Sequence, residues 1–194
     1  MAFEQYLSAG MHIGMKQQTK DMQRFIYKIR DDGLAVLDLQ TIDNRIKMAA
    51  NFLKDYDKIM VVSRKGVGQK PVSKFAEMIG AKAVVGRFLP GTITNPSFKG
   101  YYGPDVLVVT DPLVDKQAVI EAMKMRIPII ALVDTFNELS SVDFAIPVNN
   151  KGRRSLAMTY YLLAKELLKA KGIIKEDSEF SADPGDFEVK PEKR

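Results

Sequence analysis

The chain has 194 residues, no cysteine, one histidine and a net charge of +5. That length suffices for one domain with a sizeable core, and 46% hydrophobic residues argue for a globular chain rather than a disordered one. Disulfides and thiolate metal ligands are excluded, a His-based metal cluster or serine-type triad would rest on His12 alone, no apolar run approaches the ~20 residues of a membrane span, and no basic-then-apolar leader opens the chain.

The charge is unevenly spread. From residue 175 onward seven acids face four bases, which leaves that stretch at −3 and residues 1–174 at +8. A basic body suggests a polyanionic partner, or a charge that only aids solubility. Low hydrophobicity and dense charge predict a disordered tail over 175–194, behind a single α/β domain over 1–174 with an N-terminal extension over 1–40.

Residues 2–9 predict a short helix with Phe3, Tyr6 and Leu7 on one face. The segment from Lys16 through Lys20 to Arg24 is polar and cationic, with almost no apolar periodicity. It cannot order itself by burial, so it reads as a solvated loop or as a segment ordered by a partner such as a phosphate backbone. Asp31-Asp32-Gly33 between two apolar-alternating runs predicts a β-hairpin, with Lys28 and Arg30 on one face and Tyr27 and Ile29 on the other. Thr41 reads as the N-cap of a helix to about residue 52, with Ile42, Ile46, Ala49 and Leu53 inward.

Alternation is regular from there. Short apolar runs at 59–62, 83–85, 106–109, 129–133 and 144–146 read as strands, the first of them buried on both faces. Helices are expected from near Pro71 to Gly80, over 115–125 with Val119, Ile120 and Met123 inward, and over 152–171 with Gly172 beyond its end. This pattern predicts a flavodoxin-like three-layer sandwich around a five-stranded parallel sheet of order 2-1-3-4-5. Residues 84–102 interrupt it. Their glycines and prolines oppose a helix, while Phe88, Leu89, Ile93, Phe98, Tyr101 and Tyr102 supply apolar anchors. The segment reads as an ordered surface loop with cations Arg87 and Lys99 and a polar tip at Thr94 and Asn95, or as a rigid connector.

Ligands of such sheets gather at the strand carboxyl ends. There the sequence places Arg64 and Lys65, Arg87, Asp111, Asp134, and Lys151, Arg153 and Arg154. The last three precede or open a helix, where cations oppose the helix dipole and an anion would be welcomed by side chains and backbone amides alike. Gly66-Val67-Gly68 invites a nucleotide reading, but the third glycine of the dinucleotide fingerprint is replaced by Pro71. Asp111 and Asp134 read as helix caps or loop ties, or as a carboxylate pair for acid–base chemistry or an ion. No residue nominates a nucleophile.

Five ordered motifs carry a family resemblance. They are Ala9-Gly10-Met11-His12-Ile13-Gly14; Gly86-Arg87-Phe88-Leu89-Pro90-Gly91-Thr92-Ile93-Thr94-Asn95; the stretch 104–112 around Val106-Leu107-Val108-Val109-Thr110-Asp111-Pro112; the stretch 127–135 ending Val133-Asp134-Thr135; and 142–150 ending Pro147-Val148-Asn149-Asn150. Over residues 5 to about 170 the chain resembles the universal second protein of the small ribosomal subunit, in its archaeal form. The resemblance implies a flavodoxin-like sheet, no catalysis, no cofactor, no small-molecule substrate, and a structural place in the cytoplasmic ribosome against small-subunit ribosomal RNA and neighbouring ribosomal proteins. Bacterial relatives carry a long helical hairpin where this chain has only residues 95–104, so contacts of that hairpin do not carry over. The expected RNA contacts are Lys16, Lys20, Arg24, Lys28, Arg30, Arg64, Lys65, Arg87, Asn95, Lys99, Lys151, Arg153 and Arg154. The alternative is a small-ligand enzyme or nucleotide-binding protein on the same sheet, using Asp111, Asp134 and the 66–68 loop.

Overall fold

A computed structural model describes residues 2–175 and 180–189. Helix α1 (Ala2–Ala9) leads through a strap of extended chain and a 3₁₀ turn (Gln23–Phe25) into a hairpin of β1 (Ile26–Ile29) and β2 (Ala35–Leu37). There follow α2 (Leu39–Leu53), β3 (Ile59–Ser63), α3 (Gly66–Ile79), β4 (Lys82–Val85), β5 (Val106–Val109), α4 (Lys116–Lys124), β6 (Ile129–Val133), β7 (Phe144–Pro147), α5 (Arg153–Ala170) and a single turn, α6 (Pro184–Phe187).

The main sheet is parallel throughout, in the order β4-β3-β5-β6-β7, which is the expected 2-1-3-4-5. Every residue of β3, β5 and β6 is buried, as continuous apolar strands covered on both faces require. Helices α2, α3 and α5 pack together on one face. The β3-to-β4 and β5-to-β6 crossovers run in opposite directions along the sheet, so right-handedness puts α4 on the other face. Helix α5 ends in a Schellman arrangement: Ile173 N–H donates to Leu168 O, Gly172 N–H donates to Lys169 O, and Gly172 takes φ +71°.

Several local expectations are corrected. The cap of α2 is Asp38, whose carboxylate accepts from Thr41 N–H and Oγ1, so the helix begins two residues before Thr41. Helix α3 begins at Gly66, and Pro71 lies inside it. A Cβ on Gly68 would sit 2.3 Å from Ser63 Oγ, so this glycine lets the helix close onto β3. The inward stripe of α4 is Ala118, Val119 and Ala122 with Glu121, while Met123 is exposed. The acidic stretch is not unstructured over 180–189. Phe187 is fully buried, Phe180 and Phe187 both meet the Tyr161 ring edge-on, and Asp183 and Asp186 form a capping box. Three apolar residues among the acids suffice to dock that segment on α5. Residues 176–179 and 190–194, the rest of the predicted tail, lie outside the described residues.

The 86–104 loop is tied by a side chain, and the hairpin carries a register shift. The loop over 86–104 is ordered as expected, with Phe88 and Ile93 buried, though Leu89 and Tyr101 are exposed. Its tether is the buried carboxylate of Glu121, which accepts from Gly91 N–H at 2.7 Å, Ile93 N–H at 3.1 Å and Thr94 Oγ1 at 3.3 Å. In the hairpin, Ile26 pairs with Leu37 and Lys28 with Val36, which leaves Tyr27 as the extra residue of a β-bulge.

Candidate nucleic-acid interface

Because all five strands are parallel, every loop leaving a strand opens on one edge. Arg87 follows β4, Arg64 and Lys65 follow β3, and Lys151, Arg153 and Arg154 follow β7. The segment over 10–22, which includes most of the 16–24 run read as a solvated loop or as one ordered by a partner, is laid across the same edge by the chain itself. Met15 N–H donates to Thr135 Oγ1 at 2.9 Å, Thr19 N–H to Thr135 O, and Thr19 Oγ1 to Asn137 O at 2.8 Å. Asn149 N–H donates to Met11 O, and Asn149 Nδ2 to Gly10 O. The strap needs no apolar periodicity because its backbone groups are satisfied by the rim. It thereby sets Lys16 and Lys20, both exposed, beside the β6 and β7 ends. Met15 Sδ contacts the Lys151 ammonium, which also lies 4.1 Å from the centre of the Phe136 ring.

The acids of this edge are buried beneath the cations. Asp111 Oδ1 accepts from Leu113 N–H and Asn137 Nδ2, while Oδ2 meets the Lys65 ammonium at 2.5 Å. Lys65 also donates to the Asn150 carbonyl and side-chain oxygens. Asn150 Nδ2 donates to Leu132 O and Asn137 Oδ1, and the same Asn137 oxygen accepts from Asp134 N–H. Asp115 accepts from Arg64 N–H at 2.8 Å and Asp111 N–H at 3.1 Å. Burial pushes its carboxyl up to about 6, and burial also raises Asp134. This network occupies the switch point where a flavodoxin-like sheet would hold a small ligand. Asp111 and Asp134 are therefore loop ties, not an open carboxylate pair, and the 66–68 stretch is a helix turn packed on β3 rather than a phosphate cradle.

The thirteen expected contacts thus divide. Lys16, Lys20, Arg64, Arg87, Lys151, Arg153 and Arg154 gather along the carboxyl edge; of these only Arg154 has an acidic partner among the described residues, Glu188 at 3.7 Å. Lys65 sits at that edge but turns inward, with its side chain 16% exposed. Lys28 and Arg30 lie on the hairpin, where Arg30 pairs with Asp32 at 3.1 Å, and Arg24 stacks on Phe25. Asn95 and Lys99 sit on the 86–104 loop, and Asn95 Oδ1 accepts from Ser97 N–H. The residues the sequence reading missed are the positioners Thr135, Asn137, Asn149 and Asn150. Their one signal is polarity directly after an apolar strand, which marks a rim but does not say what crosses it.

The family model described as Ribosomal protein S2 matches residues 6–100 and 99–170. Over 188 residues, 96% of this chain, the sequence is 51% identical to the small ribosomal subunit protein uS2 of Haloquadratum walsbyi, of whose length it spans 66%. Over 189 residues it is 49% identical to the uS2 of Staphylothermus marinus, spanning 86% of that protein. These matches cover the strap, the hairpin and all five strands of the sheet, so the chain belongs to the Ribosomal protein S2 family.

Proposed function

We propose that this chain is a structural constituent of the small ribosomal subunit that holds ribosomal RNA by its phosphate backbone along the carboxyl edge of the sheet. The carrying observation is the layering of charge at that edge: Asp111, Asp115 and Asp134 are buried and hydrogen-bonded within the chain, while Lys16, Lys20, Arg64, Arg87, Arg153 and Arg154 are exposed above them. A phosphate backbone approaching the edge meets positive charge whose counter-charges are sealed from solvent. The first turn of α5 has no side-chain cap, which leaves amides to add to the guanidinium groups. Such contacts read shape and backbone rather than sequence, as folded RNA requires. Neighbouring ribosomal proteins fit the exposed apolar residues Leu113, Met123 and Met125. The setting is the ribosome, in the cytoplasm, and the reading calls for no reaction.

Binding of small-subunit ribosomal RNA fragments by the purified protein tests this. The logarithm of affinity should fall linearly with the logarithm of salt, with a slope of about −0.7 to −0.9 per phosphate neutralised. The Arg64→Glu, Arg153→Glu double variant should make that slope shallower without lowering the melting temperature. Lys124→Glu, on the exposed side of α4, should leave the slope unchanged. A flat salt titration, or equal effects of both variants, would refute the reading.

A further inference from the structure

The hairpin carries a feature that phosphate binding at the rim does not use. A regular strand would place Tyr27 and Lys28 on opposite faces. The bulge at Tyr27 breaks that alternation, and Tyr27, Lys28 and Arg30 line one groove of about 470 Å³. Its floor and far wall come from Leu7, His12, Leu37 and Leu39. Tyr27 is 72% exposed and shares the groove with the exposed Leu7, so the apolar surface there is contiguous. His12 Nδ1 is buried and has no hydrogen-bond partner among the described residues. Asp38, the acid in the groove, is engaged by Thr41.

We infer that this groove receives an unpaired nucleobase of single-stranded RNA, stacked on Tyr27 beside the His12 that lines the groove, with Lys28 and Arg30 on its flanking phosphates. The inference rests on the RNA-binding reading above and deepens it, by adding a site that takes a base to an edge that takes a backbone. The chemistry matches part by part. Unstacked RNA bases are held on exposed aromatic faces between cations. Burial first, and the nearby Arg30 charge second, hold the His12 pKa below its usual value against a hydrogen bond to the Tyr6 backbone, so the ring adds no positive charge to the groove near pH 7. Lys28 makes no ion pair among the described residues, and the Arg30–Asp32 pair is exposed on both sides and readily exchanged for phosphate. The groove is also continuous with the rim. Strap residue Ile13 bridges to Val36 in β2, and the Lys16 stem passes the hairpin tip at Gly33. The hairpin that carries Tyr27 is thus in contact with the strap that carries Lys16.

The lone histidine gives a direct readout, since its ring protons form a set of resonances that no other residue shares. The 194-residue chain is titrated with octaadenylate RNA, and separately with adenosine and uridine 5′-monophosphates. The His12 resonances should shift in each case. Tyr27→Ala should weaken octaadenylate binding about tenfold, Tyr27→Phe should hold it within about twofold, and neither should change the salt slope. Unmoved His12 resonances, or a Tyr27→Ala variant that binds octaadenylate as the parent does, would overturn the inference. So would a Tyr27→Ala variant that loses only its association with other subunit proteins, because the groove would then serve a protein. Failure of the rim reading looks different: the Arg64→Glu, Arg153→Glu variant would match the parent while His12 still responded to the nucleotides.

Discussion

Glu121 shows how much of this fold depends on single side chains that no helical pattern reveals. Its carboxylate receives the backbone of Gly91 and Ile93, the hydroxyl of Thr94 and the amide of Gln117. Burial alone would raise its pKa, but those hydrogen bonds outweigh burial and lower it. Glu121→Ala strands several donors and should cost about 2–4 kcal/mol in urea unfolding, with new protease cleavage within 86–104. Asp115 works in the opposite sense. Its carboxyl is raised from 3.8 to about 6 in the folded chain, so the folded state holds that proton more tightly than the unfolded one. Its contribution to stability is therefore full below pH ~4, is lost as pH rises toward about 6, and is constant above, a change of roughly 3 kcal/mol. Denaturant midpoints measured across pH 3.5–7 should show this decline in the parent and lose it in Asp115→Asn. That variant should also be less stable throughout, since an amide cannot accept from both Arg64 and Asp111 backbones.

The strap is the element on which the proposed interface depends, and one glycine sets its height. A Cβ on Gly14 would lie 2.5 Å from Thr135 Cγ2 and 3.1 Å from Ala35 O. Gly14→Ala should therefore lift the strap, lower stability by about 1–3 kcal/mol and weaken RNA binding through the displaced Lys16, while Gly66→Ala, with open space around its Cβ, should do neither. This contrast shows what could be read in advance. The strands were legible because continuous apolar runs of four or five residues have one stable placement in an α/β sheet, and the order followed from the long 84–102 connection. The hairpin was legible from Asp-Gly. The strap was not, because its order comes from hydrogen bonds to Thr135, Asn137 and Asn149, residues more than a hundred positions away. The bulge at Tyr27 was equally hidden, since alternation in a sequence carries no mark of a register shift. Lys65 misled for a related reason: its charge was visible, while the Asp111 beneath it became its partner only through the parallel pairing of β3 and β5.

Across the whole molecule, the acidic segment over 180–189 is held by aromatic packing on α5 and reaches toward the cationic edge. Glu188 pairs with Arg154, and its carbonyl accepts from the Lys70 ammonium at 2.7 Å. Phe187 is the anchor, and Phe187→Ala should lower stability by about 3–5 kcal/mol if the segment is part of the folding unit, as a calorimetric melt would report. Charge reversal at Glu188 should instead leave the melt nearly unchanged, because the Arg154 pair is exposed.

The anchoring of the strap also fixes an order of events during synthesis. Residues 10–19 leave the exit tunnel well before their rim partners Thr135, Asn137 and Asn149. Pinned early only to β2, this segment must wait for its rim anchors until more than a hundred further residues have been translated and β6 and β7 have joined the sheet. Nascent chains stalled before residue 135 should leave the Met15 and Thr19 amides open to rapid exchange, and chains released after residue 150 should close them.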